Sequence, residues 1–107
     1  MATPFAIVMT TCGDKPEAEL IATRLVEERL SACVQIFPIA SVYRWEGAVQ
    51  RADEWMLFCK VKAIDYPKVE AAIRAAHTYS NPEIVEVGIE NGAQAYLDWI
   101  ESATRDE

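Results

Sequence analysis

The chain has 107 residues, 51% of them hydrophobic and 25% charged, with four glycines and five prolines, which suits one domain with its own core and excludes a disordered or collagen-like chain. Ten lysines and arginines against seventeen aspartates and glutamates give a net charge of −7, so the summed field repels phosphate backbones and anionic membranes, and nucleic acid is excluded as an expected partner. The longest apolar run, Phe5 to Met9, is far short of the ~20 residues that cross a bilayer, and no Lys/Arg-flanked leader opens the chain, so no membrane role and a cytoplasmic location are expected.

Phe5 to Thr10 is a continuous apolar and β-branched run, the pattern of a central strand covered on both faces. Asp14, followed by Pro16 and by Glu17 three residues on, reads as a capping-box start. The helix it opens carries Ala18, Ile21, Ala22, Leu25 and Val26 on one stripe. The segment Leu30-Ser31-Ala32-Cys33-Val34 reads as helix, and the stretch from Cys33 to Trp45 reads as β-rich. Pro38 interrupts that stretch and implies a bulge, a bend or an edge position, because proline gives nothing to a sheet ladder. Glu46-Gly47 reads as a turn. Beyond it, Trp55, Leu57, Cys59 and Val61 alternate with Met56, Phe58, Lys60 and Lys62, a strand with one dry face. Asp65 before Tyr66-Pro67 opens a second helix that His77 closes, Ile84 to Ile89 is a fourth strand, and Asn91 with Gln94 reads as the cap of a final helix bearing Tyr96, Leu97 and Ile100.

The order β-α-β-β-α-β-α predicts a single α+β domain over residues 1–107, a ferredoxin-like βαββαβ unit with a C-terminal helix. A straight strand from Ala48 to Lys62 at ~3.3 Å per residue reaches ~50 Å, well beyond the ~13 Å radius of gyration of a domain this size. The hairpin therefore outreaches its own subunit and leaves ladder groups and the apolar face of Trp55 and Leu57 for another chain, so a closed symmetric oligomer is expected.

The three cysteines are odd in number, widely spaced and without a CxxC, the pattern of reduced thiols. Cys33 and Cys59 sit in apolar strand patterns and read as small core residues. Cys12 stands between a strand end and a helix N-terminus, where the dipole is expected to lower a thiol pKa and raise reactivity or metal affinity. His77 is the single histidine, so a closed zinc site of several Cys and His is not expected. It reads either as a helix-end cap or as part of a site with the phenol and carboxylate of Tyr79 and Glu83 that follow it. Tyr43 and Trp45 share one strand face, as interface packing or ligand surface. No GxSxG, P-loop, GxGxxG, HExxH or Ser-His-Asp pattern occurs, so an enzyme is not expected.

The stretches Tyr43-Arg44-Trp45-Glu46-Gly47, Glu54 followed by Lys60, His77-Thr78-Tyr79-Ser80-Asn81-Pro82-Glu83 and Tyr96-Leu97-Asp98-Trp99, together with Leu30 to Val34, resemble the CutA family of divalent-cation tolerance proteins in order and spacing over about residues 5 to 104. The resemblance implies a ferredoxin-like subunit in a tight homotrimer, similar in architecture to PII signalling proteins, and a link to tolerance of heavy metals, chiefly copper. It requires no resident cofactor and implies copper or another divalent cation as a ligand. In the family, copper binding is associated with a cysteine at the end of the first strand and a histidine pair at the end of the second helix. The matching positions here are Thr10, Ala76 and His77, with Cys12 two residues further on. The expected metal ligands are therefore His77 and Cys12, with Glu83 as an oxygen donor. The alternative is a PII-like module holding a small anionic ligand or a partner segment in an inter-subunit cleft formed by Tyr43, Trp45, Glu54, Lys60, His77, Tyr79 and Glu83, with Lys60 offsetting Glu54 or Glu83 until a ligand arrives.

Overall fold

The computed structural model describes residues 3–106. The chain runs β1 (Phe5–Cys12), α1 (Lys15–Glu27), β2 (Ser31–Trp45), β3 (Ala48–Lys62), a single 3-10 turn at Ala63–Asp65, α2 (Tyr66–Ala76), β4 (Ile84–Gly88) and α3 (Gln94–Ala103). The strands form one sheet in the order β2-β3-β1-β4, with every neighbouring pair antiparallel. This is the α+β, ferredoxin-like arrangement with a C-terminal helix that the element order predicts.

Alternation along the strands divides the core between the two faces of the sheet. Ala6, Val8, Leu57, Cys59 and Val61 are buried with Ile21 and Leu25 of α1 and Val69 and Ile73 of α2. On the other face Phe5 and Ala32 pack against Leu97 and Ile100 of α3. The dry face of β3 is therefore covered inside its own chain: Leu57 is buried and Trp55 packs on the same cluster, which corrects the expectation that both wait for a partner.

Asp14 caps α1 by accepting from the Glu17 N–H at 2.8 Å. The reciprocal half of the box is not made, because the Glu17 carboxylate turns to the Thr78 N–H and hydroxyl, at 2.8 and 3.0 Å. The helix stops at Glu27, Arg29 takes a positive φ of 59°, and the strand resumes at Ser31, so Leu30 to Val34 is not helical. Pro38 is accommodated because β2 is an edge strand, while the register irregularity lies between Ser31 and Cys33. The last helix begins at Gln94 with Ala93, not Asn91, at its cap, and Gln94 bonds forward to Asp98 at 2.8 Å.

β1 pairs with β3 only from Phe5↔Lys62 to Cys12↔Trp55, whereas β2 pairs with β3 as far as Trp45↔Ala48. Residues 39–54 are thus a two-stranded arm that leaves the sheet, and the molecule measures 44 × 28 × 22 Å. At the tip Glu46 and Gly47 take φ values of 51° and 79°, the two left-handed positions of a tight hairpin turn. Val42, Tyr43, Trp45 and Val49 are exposed along the arm.

Candidate functional site

Two constellations lie on opposite sides of the end of β1. The first is enclosed by the last residue of β1, the first turn of α1 and the C-terminal end of α2. Here His77 is fixed on both ring nitrogens. Nε2 lies 2.7 Å from the Thr11 carbonyl oxygen, which can only accept, so Nε2 carries the proton. Nδ1 accepts the Tyr79 N–H at 3.1 Å and lies 3.4 Å from the Glu17 carboxylate. Cys12 brings its sulfur to 3.9 Å from His77 Nε2. One ligand atom each from Cys12, Glu17 and His77 fall within 4.8 Å of one another. Donors sharing one transition-metal ion at bonds of about 2.0–2.3 Å stand about 3.3–3.8 Å apart, so a small closure joins these three. Sequence reading pairs His77 with Cys12 but overlooks Glu17, whose place in a capping box explained it away.

The electrostatics of this pocket oppose the expected effect of the helix dipole. Burial pushes the Cys12 thiol up to about 12, and Glu17, Asp14 and Glu54 push in the same direction. In the metal-free protein Cys12 is therefore a protonated, buried thiol, which corrects the expectation of an activated one. A cation reverses that balance, since the carboxylates that disfavour a thiolate favour a metal ion and metal binding displaces the thiol proton. Cys59 is buried in the core as expected, and Cys33 is half-buried.

The second constellation is an open cavity of about 570 Å³ where the arm leaves the sheet. Ser41, Tyr43 and Trp45 of β2 and Glu54 of β3 form one side, and Tyr79, Asn81 and Glu83 of the loop after α2 form the other. The Tyr79 hydroxyl donates to Glu54 at 2.9 Å, and its pKa is pushed up by burial and then by that bond, so it stays a donor. Five of the seven cleft residues expected from the sequence thus line one cavity. His77 lies behind Tyr79, with its ring tilted against the Tyr79 ring at 4.9 Å between centroids. Lys60 is elsewhere: its ammonium donates to Gln35 at 3.0 Å and sits over the Tyr96 ring of α3 at 5.6 Å. It therefore does not offset Glu54 or Glu83 within the chain. Glu83 faces the cavity and lies outside the Cys12, Glu17 and His77 set.

Comparison with known proteins decides the family. The family described as CutA1 divalent ion tolerance protein matches residues 6–103. The chain belongs to the CutA1 family. It is 41% identical over 99 residues to the divalent-cation tolerance protein CutA of Thermus thermophilus, covering 92% of this chain and 96% of that one. The solved structure of CutA1 from Oryza sativa superposes with a TM-score of 0.94 at 34% identity, covering 99% of this chain and 98% of that one. The periplasmic divalent cation tolerance protein CutA from Archaeoglobus fulgidus superposes with a TM-score of 0.91 at 37% identity, covering 92% of this chain and 97% of that one. The Thermus thermophilus and Archaeoglobus fulgidus proteins are named for tolerance of divalent cations and not for a catalysed reaction.

Proposed function

We propose that this CutA1 chain serves divalent-cation tolerance by binding a soft or borderline cation, copper above others, between Cys12, Glu17 and His77. The observation that carries the reading is the convergence of a sulfur, an imidazole nitrogen and a carboxylate oxygen within 4.8 Å in an enclosed, net-negative pocket. Sulfur and imidazole donors suit copper better than calcium or magnesium, which take oxygen. Affinity is modest on this reading, because His77 must give up either its bond to Thr11 or its bond from Tyr79 to expose a lone pair. The working unit is a homotrimer in the cytoplasm. Support for assembly comes from the two-stranded arm, and support for a reducing compartment from three thiols that pair with none of their fellows. Among the described residues no helix is long and apolar enough to cross a membrane.

Copper titration of the metal-free protein, followed by calorimetry, tests this. His77→Ala and Cys12→Ser should each weaken binding at least about tenfold, with Glu17→Gln giving a smaller loss. Unchanged copper binding in both His77→Ala and Cys12→Ser removes the metal from this site.

A further inference from the structure

We propose that the cavity between the arm and the loop after α2 is a second binding site, separate from the metal ligands, and that it takes a small organic cation bearing N–H donors, a primary ammonium or a guanidinium. The central observation is Glu54. Its residue is 9% exposed, yet among the described residues it has no cation within ion-pair distance. Among them the only hydrogen bond to its side chain comes from the Tyr79 hydroxyl, on Oε2. A mostly buried carboxylate without a cation favours a positive partner, and its second oxygen, which is not among the buried unpartnered oxygens, is open to a donor from the cavity.

The walls agree with that demand. Glu83 adds a second carboxylate, and Tyr43, Trp45 and Tyr79 add aromatic surface, while among the described residues no lysine or arginine lines the space. Aromatic faces attract cations and offer nothing to an anion, so charge and ring chemistry point to the same ligand sign. Lys60, the residue that could have made this an anion site, is held on the α3 side of the sheet by Gln35 and Tyr96. A volume of about 570 Å³ suits a small organic molecule and exceeds the needs of a bare ion. An N–H donor is favoured because it adds a charge-assisted hydrogen bond to the free oxygen of Glu54, which a quaternary ammonium cannot make. Asn81 on the loop side supplies an amide for the polar remainder of the ligand.

The test uses the full chain at neutral pH and calorimetry with four probes: 1,4-diaminobutane, guanidinium, tetramethylammonium and inorganic phosphate. The expected result is saturable binding of the first two, weaker binding of tetramethylammonium and none of phosphate. Glu54→Gln should weaken diaminobutane at least about tenfold, as expected for loss of a charge-assisted hydrogen bond. Glu83→Gln should weaken it less, and Glu27→Gln, an exposed carboxylate of α1, should leave it unchanged. Circular dichroism and a thermal melt establish that each variant is folded. Because Glu83 is exposed, Glu83→Gln keeps the test decisive if Glu54→Gln unfolds. Binding of phosphate in preference to the amines overturns the proposal, as does undiminished amine binding in both variants. Absence of amine binding in the assembled protein, with Glu54→Gln raising the melting temperature, assigns Glu54 to a contact with a second copy and overturns it equally.

Discussion

Thr10 holds a hydroxyl in a fully buried position on the helix-covered face of β1, and that oxygen has no hydrogen-bond partner among the described residues. An unsatisfied buried hydroxyl costs more than a methyl of the same shape, so Thr10→Val should raise stability by about 1–2 kcal/mol, seen as a higher urea midpoint at unchanged slope. A lower midpoint would mean that the hydroxyl is satisfied by buried water. The thiols make a pH prediction of definite sign. Burial pushes Cys59 as well as Cys12 up to about 12, so above the ordinary thiol range the unfolded chain loses protons that the folded chain keeps. Their stabilisation is complete below that range and is lost as pH rises toward 12, each contributing at most ~1.4 kcal/mol per pH unit. Thermal melts between pH 8 and 11 should fall with pH, and Cys59→Ala should flatten the fall; a level profile contradicts the burial assigned to both thiols.

The elements that could be read from the sequence are those fixed by local chemistry. Asp14 caps α1 as its spacing predicts, and Asp14→Ala should cost about 1 kcal/mol in chemical denaturation. The hairpin turn is equally local. Gly47 at φ 79° occupies a backbone region that side chains strain, so Gly47→Ala should lower stability by about 1 kcal/mol, although nothing lies within 4 Å of the added Cβ. Failures arise where tertiary contacts override a local signal. Asn91 and Gln94 have cap spacing, yet α3 is positioned by Leu97 and Ile100 on Phe5 and Ala32, and a Cβ on Gly92 would meet Leu97 at 3.1 Å. Strand alternation places Lys60 opposite the dry face but is silent about what covers that face. The Tyr96 ring of α3 does so, which removes Lys60 from the cavity. The pairing of Cys12 with His77 follows from the meeting of β1, α1 and α2 ends, whereas the part of Glu17 depends on a long-range bond to Thr78 that no spacing reveals.

At the scale of the whole molecule the arm over residues 39–54 sets the strongest demand. A two-stranded ribbon without a third strand or a helix across it is marginal in water, and β3 loses its β1 partner beyond Trp55. The unpaired backbone and the exposed Val42, Tyr43, Trp45 and Val49 offer strand pairing and apolar surface at once. A second copy supplies both, and a closed ring avoids the open-ended growth that such edges invite. The homotrimer proposed for this chain is one such closed ring. Sedimentation at low micromolar concentration should therefore show one species at three times 12.0 kDa. Val49→Lys combined with Trp45→Asp places charge on the arm without touching the core, and should convert the trimer to monomers whose apparent stability no longer depends on protein concentration. A wild-type chain that sediments as a folded monomer leaves the arm stable alone and refutes the assembly, and an undisturbed trimer in the double variant locates the interface elsewhere.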